Sequence, residues 1–577
     1  MKSKALRILQ NYWGYERFRP LQYPIIQSVL DRRDTLALLP TGGGKSVCFQ
    51  VPALMRAGSC LVISPLVSLM KDQTAQLRAK GVKSIYLHGN CSAAELHRLF
   101  DNLTYGGYKF LYMAPERLGN REVVERLKNA KLQFVAVDEA HCISQWGHDF
   151  RPAYRKIRDF KAAFSRIPFL ALTATATPGV VADIAQNLAL EAPAVFQRSF
   201  QRKNLSFRVA HAPLKEVEIL AILQQNKGSA IVYTRSRNAA ERVSEYLNSR
   251  GLHTTFYHAG LNTTARDSRQ RQWMDGRIQT LIATTAFGMG IDKPDVRCVI
   301  HRDLPDSIEA LYQEAGRAGR DGEPACSWLL KNPSDKGVIK SRLAHRSLSL
   351  AFVLDIYVKL NHHFQIRLGE RNERIYPIDL SAFSEKYGLD PRRVHGALRV
   401  LERYAVIRFF EWSNPRSSIR INASPTQLQL LYKRGPLTER TIKALLRLYG
   451  GIFSEDSHVD EGKIAKHSQL DLPTVKSVLR NLHAHAVIGY TPRYLQRIRF
   501  LVPREDARTL SAFEKDFLEV QQRSASRLRA VEHYAFQRMR CRNRFILDYF
   551  GEKVAADCGK CDVCLSRAGR CPNEWYS

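Results

Sequence analysis

At 577 residues the chain exceeds what one hydrophobic core can organise, and about three to five domains are expected. Its 88 Lys and Arg against 55 Asp and Glu give a net charge of +33, spread as 48 to 30 over residues 1–340 and 40 to 25 over 341–577. That balance argues for a polyanionic partner, nucleic acid first. The lack of an apolar run of about 18 residues, or of a charged-then-apolar leader, argues against a membrane span or secretory signal and for a cytoplasmic, nucleoid-associated location.

Taken in order, Trp13-Gly14-Tyr15-Glu16-Arg17-Phe18-Arg19-Pro20-Leu21-Gln22 leads into a helix expected near Tyr23. Asp34-Thr35-Leu36-Ala37-Leu38-Leu39 then reads as a strand, and Pro40-Thr41-Gly42-Gly43-Gly44-Lys45-Ser46 as a loop entering a helix. Three consecutive glycines let backbone N–H groups approach phosphates. Lys45 suits the β- and γ-phosphates of a nucleotide, and the Ser46 hydroxyl suits Mg²⁺. The common phosphate-loop pattern would put Gly at position 39, where this chain has Leu39. Leu61-Val62-Ile63-Ser64-Pro65 and Leu111-Tyr112-Met113-Ala114-Pro115 are further strand-then-turn units.

The run Phe134-Val135-Ala136-Val137-Asp138-Glu139 reads as a buried parallel strand ending in two adjacent carboxylates. Carboxylates at a strand end suit Mg²⁺ and an attacking water. The loop that follows holds His141, Trp146, His148, Phe150 and Arg151, side chains suited to stacking on unpaired bases. Both features in one loop suggest hydrolysis coupled to nucleic-acid movement. With Leu170-Ala171-Leu172-Thr173 as a further strand, strands alternating with helical patterns predict a parallel sheet covered on both faces, with functional residues at the strands' carboxyl ends.

A second α/β unit is expected from near residue 200, with strands at Ser229-Ala230-Ile231-Val232-Tyr233 and Gln279-Thr280-Leu281-Ile282-Ala283. In Tyr312-Gln313-Glu314-Ala315-Gly316-Arg317-Ala318-Gly319-Arg320, two arginines three apart are expected on a helix, in a unit without its own phosphate loop. They read as fingers reaching into a cleft shared with the first unit, to stabilise transition-state charge. His301-Arg302-Asp303-Leu304 spells a kinase catalytic-loop fragment, but the kinase's downstream Asn and Asp-Phe-Gly are missing.

In this order the segments resemble the RecQ family of superfamily-2 DNA helicases over about residues 5–340, and the run from Val137 to Pro152 is the most specific match. The Pro-Thr-Gly-x-Gly-Lys-Ser loop is the variant helicases use. The resemblance implies two tandem RecA-like domains, 1–197 and 198–340, with ATP between them and translocation 3′ to 5′ along one DNA strand. Carried over residue by residue, Tyr15, Arg19 and Gln22 would bind adenine. Thr41, Gly42, Gly43, Gly44, Lys45, Ser46 and Gln313 would complete the nucleotide site. Ser46 and Asp138 would hold Mg²⁺, and Glu139 would position or activate water. Trp146 and Phe150, flanked by His148 and Arg151, would contact single-stranded DNA and report it to the ATP site.

Beyond residue 340 an internal repeat appears. Asp379, Leu389-Asp390, Val394, Leu398, Leu401 and Ala405-Val406-Ile407 recur 81 positions later, as Asp460, Leu470-Asp471, Val475, Leu479, Leu482 and Ala486-Val487-Ile488. Each copy reads as helix, turn and amphipathic helix followed by a strand pair, which describes a winged helix. Winged-helix-like repeats are expected at 341–425 and 426–510, with basic second helices and wings suited to DNA in at least one copy and protein docking as the competing use. Five of the eleven cysteines lie in the last 37 residues. Cys541, Cys558, Cys561 and Cys564 have the spacing of a structural Zn²⁺ site, with Cys571 left over. In the RecQ family this segment normally follows the second RecA-like domain directly, whereas here residues 341–540 intervene.

The expected class is therefore α/β: two tandem RecA-like parallel-sheet domains, α+β winged-helix-like repeats, and a helical connector with a small zinc-binding segment at 511–577. The expected function is an ATP-dependent DNA helicase of recombination and repair, acting on single-stranded and branched double-stranded DNA. A nucleic-acid translocase or RNA helicase, or a winged-helix DNA-binding regulator with a vestigial ATPase, are the alternatives. Intact Lys45, Asp138, Glu139, Arg317 and Arg320 argue against the last.

Overall fold

The computed structural model describes residues 1–570 apart from 88–90, 145–146, 148, 227, 289–292, 372–373, 411–416, 433–434, 455, 493–495 and 506–513. The chain forms two compact units, one of residues 1–343 with the segment from 518 onward, the other of residues 344–517. Among the described residues no helix is long and apolar enough to cross a membrane.

The first unit carries two parallel sheets. In the first sheet β1 (Thr35–Leu38), β2 (Ser59–Ile63), β3 (Ser84–Leu87), β4 (Phe110–Met113), β5 (Leu132–Val137), β6 (Phe169–Thr173) and β7 (Ala194–Gln197) lie in the order β3-β4-β2-β5-β6-β1-β7. The second sheet has β8 (Leu205–His211), β9 (Ser229–Tyr233), β10 (Thr254–Tyr257), β11 (Thr280–Ala283), β12 (Val296–His301) and β13 (Ala325–Lys331) in the order β10-β11-β9-β12-β13-β8. These are the two RecA-like domains. Strands buried on both faces need apolar residues at every position, not at alternate ones. Leu36 and Leu38 of β1 enter one core while Ala37 and Leu39 enter another, and Ile231 and Ala230 of β9 divide in the same way. Leu39, at the position where a glycine would be usual, continues the ladder instead: its N–H donates to Thr173 O at 3.1 Å.

In the second unit the repeated residues have clear structural duties. Asp379, Asp390, Asp460 and Asp471 each cap a helix N-terminus through a side-chain oxygen, a contact whose loss costs about 1 kcal/mol. Val394, Leu398 and Leu401, and their copies Val475, Leu479 and Leu482, are buried. Even the left-handed turns repeat, at Gly388 and Gln469 and at Ala405 and Ala486.

The wings depart from expectation. With β14 (Ile375–Ile378), β15 (Ile407–Phe410), β16 (Ser417–Ile421), β17 (Ser457–Val459), β18 (Ile488–Thr491) and β19 (Gln496–Phe500), the sheets are β14-β19-β15 and β17-β16-β18, both antiparallel. The expected hairpins within 407–421 and 488–502 are not formed, because each strand pairs with the copy of its own partner. Ile407 faces Phe500, and Ile488 faces Ile421. The tandem division at residue 425 is corrected accordingly. One core gathers residues 348–409 with Ile498, Phe500 and Phe517, and the other gathers 419–490, so the second winged helix is inserted into the wing of the first. Equivalent strands present equivalent edges, so the exchange keeps every ladder and costs no pairing.

Candidate nucleotide cleft and zinc site

The carboxyl ends of β1 and β5 open into a cleft of about 1410 Å³, and every residue expected at the nucleotide, from Tyr15 through the phosphate loop to Arg320, lines it. Gln22 is buried and donates through Nε2 to Gly44 O at 3.1 Å and Gly43 O at 3.4 Å, while Arg19 donates to Gly42 O. Gly44 has φ +78°, and a Cβ there would collide with Gln22 Nε2. The loop therefore needs glycine both for its backbone and for the side chain that reads it. Tyr15 stays exposed at the rim.

Asp138 and Glu139 stand at the end of β5. Glu139 adopts a left-handed backbone with φ 48° and ψ 47°, a conformation costing about 1–3 kcal/mol outside glycine, which turns the chain directly after Asp138. The turn is braced by the Tyr154 hydroxyl, which donates to Asp138 O at 2.9 Å. His141 is fully buried, with Nδ1 3.0 Å from Thr173 Oγ1 and 3.3 Å from Glu139 Oε2. It supports the acidic pair from beneath and is not available for base stacking.

Burial and the neighbouring Glu139 push the Asp138 carboxyl up to about 7, with Lys45 opposing the shift. Because the folded value lies above the unfolded one, this group destabilises the nucleotide-free fold progressively as pH rises from about 4 to 7, and fully above that. Asp138→Asn cannot ionise. It should raise stability at pH 8 by about 1–3 kcal/mol and leave it nearly unchanged at pH 4.5. Thermal melts at the two pH values check this, and equal changes at both would mean that charge burial is not the cause. A buried acidic pair next to a lysine and a hydroxyl is a donor set that fits a divalent cation.

The second sheet's domain supplies the other wall. Arg317, 4% exposed, is hydrogen-bonded to Tyr233, whose hydroxyl also donates to Phe287 O at 3.0 Å. A Cβ on Gly42 would come within 3.2 Å of Arg320 Cγ, so this arginine lies directly over the phosphate loop. Thr41 Oγ1 and Arg317 Nε are buried without a hydrogen-bond partner among the described residues, as groups awaiting a polar ligand would be. Sequence reasoning set aside the segment at His301. Its Nε2 lies 2.9 Å from Glu314 Oε2, and the ring stacks on Tyr233, 5.6 Å between centroids, tying β12 to the helix Ile308–Ala315; Arg317 and Arg320 lie on the loop after this helix, not on a helix as expected. A histidine closing the apolar run Val296 to Ile300 was the signal available.

Of the four residues expected at DNA, Trp146 and His148 lie outside the described residues. Phe150 is half-buried, with the Arg155 guanidinium 5.3 Å from its ring centre. Arg151 turns inward: its Nη1 donates to Pro65 O at 2.8 Å and its Nη2 lies 3.4 Å from Asp149. It fastens the loop to the end of β2.

The sulfurs of Cys541, Cys558, Cys561 and Cys564 all lie within 4.8 Å of one another, with Cys541 and Cys561 3.9 Å apart and Cys561 and Cys564 3.4 Å apart. A tetrahedral Zn²⁺ with bonds of about 2.3 Å needs sulfurs about 3.8 Å apart, so the set fits. Backbone N–H groups of Cys558, Arg542 and Cys564 point at Cys541 and Cys561 sulfurs from 3.3–3.4 Å, as thiolates require. Cys571 lies outside the described residues.

Comparison with known proteins agrees with this arrangement. Residues 19–184 match the DEAD/DEAH box helicase family and 214–322 the helicase conserved C-terminal domain. Residues 419–492 match the RecQ helicase winged-helix domain of Bacteroidota, and 496–565 the RecQ zinc-binding family. The chain is 44% identical over 337 residues to an ATP-dependent DNA helicase RecQ of Pasteurella multocida, covering 58% of this chain and 53% of that one. It is 38% identical over 377 residues to a probable ATP-dependent DNA helicase RecS of Bacillus subtilis, covering 64% of this chain and 75% of that one. The chain belongs to the RecQ family of helicases. The crystal structure of the DUF1998 helicase MrfA bound to DNA shares the fold, with a TM-score of 0.50 and 18% identity over 58% of this chain and 52% of that one. The chain spans little more than half the length of the first RecQ relatives, 53% and 57%.

In this RecQ chain the zinc segment meets the second RecA-like domain despite the residues between them. Phe550 stacks on Phe200, 4.4 Å between ring centres, and meets Tyr312 edge-on at 5.2 Å. Glu552 accepts from Phe200 N at 2.7 Å, and Ser206 Oγ donates to Lys560 O at 2.8 Å. Within the segment, Arg542 is buried in a bidentate pair with Asp562. The zinc segment and the second RecA-like domain are thus in contact although residues 344–517 separate them in sequence.

Proposed function

We propose that this chain is an ATP-dependent DNA helicase that moves 3′ to 5′ along single-stranded DNA and separates duplex or branched DNA in recombination and repair. One observation carries the reading: a single cleft lined by the phosphate loop and acidic pair of one RecA-like domain and by the paired arginines of the other. Gln22 and Arg19 select adenine, Lys45 offsets charge on the β- and γ-phosphates, and Glu139 orients the attacking water and accepts its proton. Arg317 and Arg320 stabilise charge developing in the transition state, as fingers supplied from the second domain do. Ser46 and Asp138 would hold Mg²⁺, which would supply charge neutralisation to the bound phosphates. A location on DNA in the cytoplasm, at the nucleoid, fits this substrate and the net charge of +33.

Unwinding of forked, tailed and Holliday-type DNA beside an RNA duplex, with ATP hydrolysis followed in parallel, tests the proposal. Hydrolysis without strand separation would favour a translocase, and RNA unwinding an RNA helicase. A finer test concerns coupling. Phe150→Ala should leave basal hydrolysis intact and weaken its stimulation by single-stranded DNA about five- to a hundred-fold, the equivalent of a base–aromatic stack of about 1–3 kcal/mol. Unchanged stimulation would return Phe150 to a packing role.

A further inference from the structure

The connection between the two RecA-like domains holds a cation that the reading above does not use. Arg202 lies between β7 and β8. Its Nη1 donates to Thr41 O of the phosphate loop at 3.2 Å and to Gly316 O at 3.4 Å. Its Nη2 donates to Ala318 O at 3.0 Å and Gly319 O at 2.8 Å. All four acceptors are main-chain carbonyls. Three of them belong to the loop that leaves the helix Ile308–Ala315 and carries Arg317 and Arg320. A cation at a helix C-terminus is favoured by the carbonyls left unpaired there. A guanidinium alone among side chains offers a planar fork able to hold several at once.

The surroundings fix the same loop. Asn204 Nδ2 donates to Gly319 O at 2.7 Å and Glu323 O at 2.8 Å. Gly319 has φ +62°, and a Cβ there would fall 2.5 Å from Asn204 Nδ2. A Cβ on Gly316 would meet Thr41 Cβ at 3.0 Å, so the two loops touch where Arg202 grips both. We propose that Arg202 is a positioning residue for hydrolysis: one guanidinium clamps the phosphate loop of the first domain to the arginine loop of the second, holding the Gly316 and Ala318 carbonyls either side of Arg317, and so sets where Arg317 stands relative to Lys45.

The inference rests on the ATPase reading and makes a demand beyond it. Arg202 does not line the cleft, so its removal should act through Arg317. Arg202→Gln should lower the kcat of DNA-stimulated hydrolysis about ten- to a hundred-fold while the KM for ATP shifts less than about threefold. Arg202→Lys keeps the charge but cannot bridge both loops, so it should recover less than a third of the lost rate. It also serves if the Gln variant is recovered unfolded. In an Arg317→Ala background, Arg202→Gln should cost less than about threefold more, because the group it positions is already gone. A domain staple with no part in hydrolysis would instead lower the melting temperature, leave kcat alone, and add its effect to that of Arg317→Ala. A wild-type kcat in Arg202→Gln, a full rescue by lysine, or additive losses in the double variant each overturn the inference. Absence of hydrolysis in the wild type would overturn the ATPase reading and this inference together.

Discussion

Lys45→Ala should abolish ATP hydrolysis, with a loss of about 10²–10³-fold or more, while the protein still binds DNA. Lys45 opens the helix Lys45–Met55 directly after Gly44 and is the phosphate loop's own positive point charge. Of the other cations lining the cleft, Arg317 and Arg320 come from the second domain. In the proposed mechanism they would serve the charge that develops during transfer and would not replace a lysine on the β- and γ-phosphates. DNA binding should survive, because the basic excess is spread over the whole chain. Hydrolysis near the wild-type rate, measured with saturating single-stranded DNA, would remove Lys45 from the mechanism.

The second large effect belongs to zinc. Cys561→Ser should lower the bound metal, open the C-terminal segment to protease and weaken DNA binding. A structural zinc site contributes about 10–16 kcal/mol in small metal-dependent folds, so a lost ligand destabilises its segment far more than an ordinary surface change. The packing of Phe550 on Phe200 and Tyr312 means that the damage should also reach the second RecA-like domain. The phosphate loop, carried by the first sheet, should still bind nucleotide, and a fluorescent ATP analogue checks this on recovered protein. Metal analysis of the wild type decides the premise. Less than about half an equivalent of zinc, with all four thiols freely titratable, would mean that the cysteines serve another purpose.

Much of the fold could be read from the chain because parallel strands write themselves as unbroken apolar runs. Thr35–Leu38, Leu132–Val137 and Ser229–Tyr233 each appear where such a run ends in a glycine-rich, acidic or polar turn. The cleft was legible for a related reason: a phosphate loop and an acidic pair are local patterns, and the sheet topology brings them together. Strand partners in the wings were not legible, since β15 and β18 carry the same pattern and either could accept β16 or β19. Arg202 left no trace because its partners are carbonyls, which any sequence provides. The docking of the zinc segment was hidden for a third reason. Phe550 and Phe200 are 350 positions apart, and neither stands in a recognisable motif.

The exchanged wings also govern the order in which the second unit can be completed on the ribosome. Ile407 must wait for Phe500, 93 positions later, which at about 5–20 residues per second is roughly 5–20 s of synthesis. The inner pairing needs only Ile421 and Ile488, so the inserted winged helix closes while the enclosing one still shows a bare strand edge. Assembly proceeds from the inside outward, and the zinc segment, emerging after both winged helices, must find a strand, β8, translated about 350 codons earlier. A nascent chain halted just after Thr491 would thus carry a finished inner module within an outer one still lacking its closing strand.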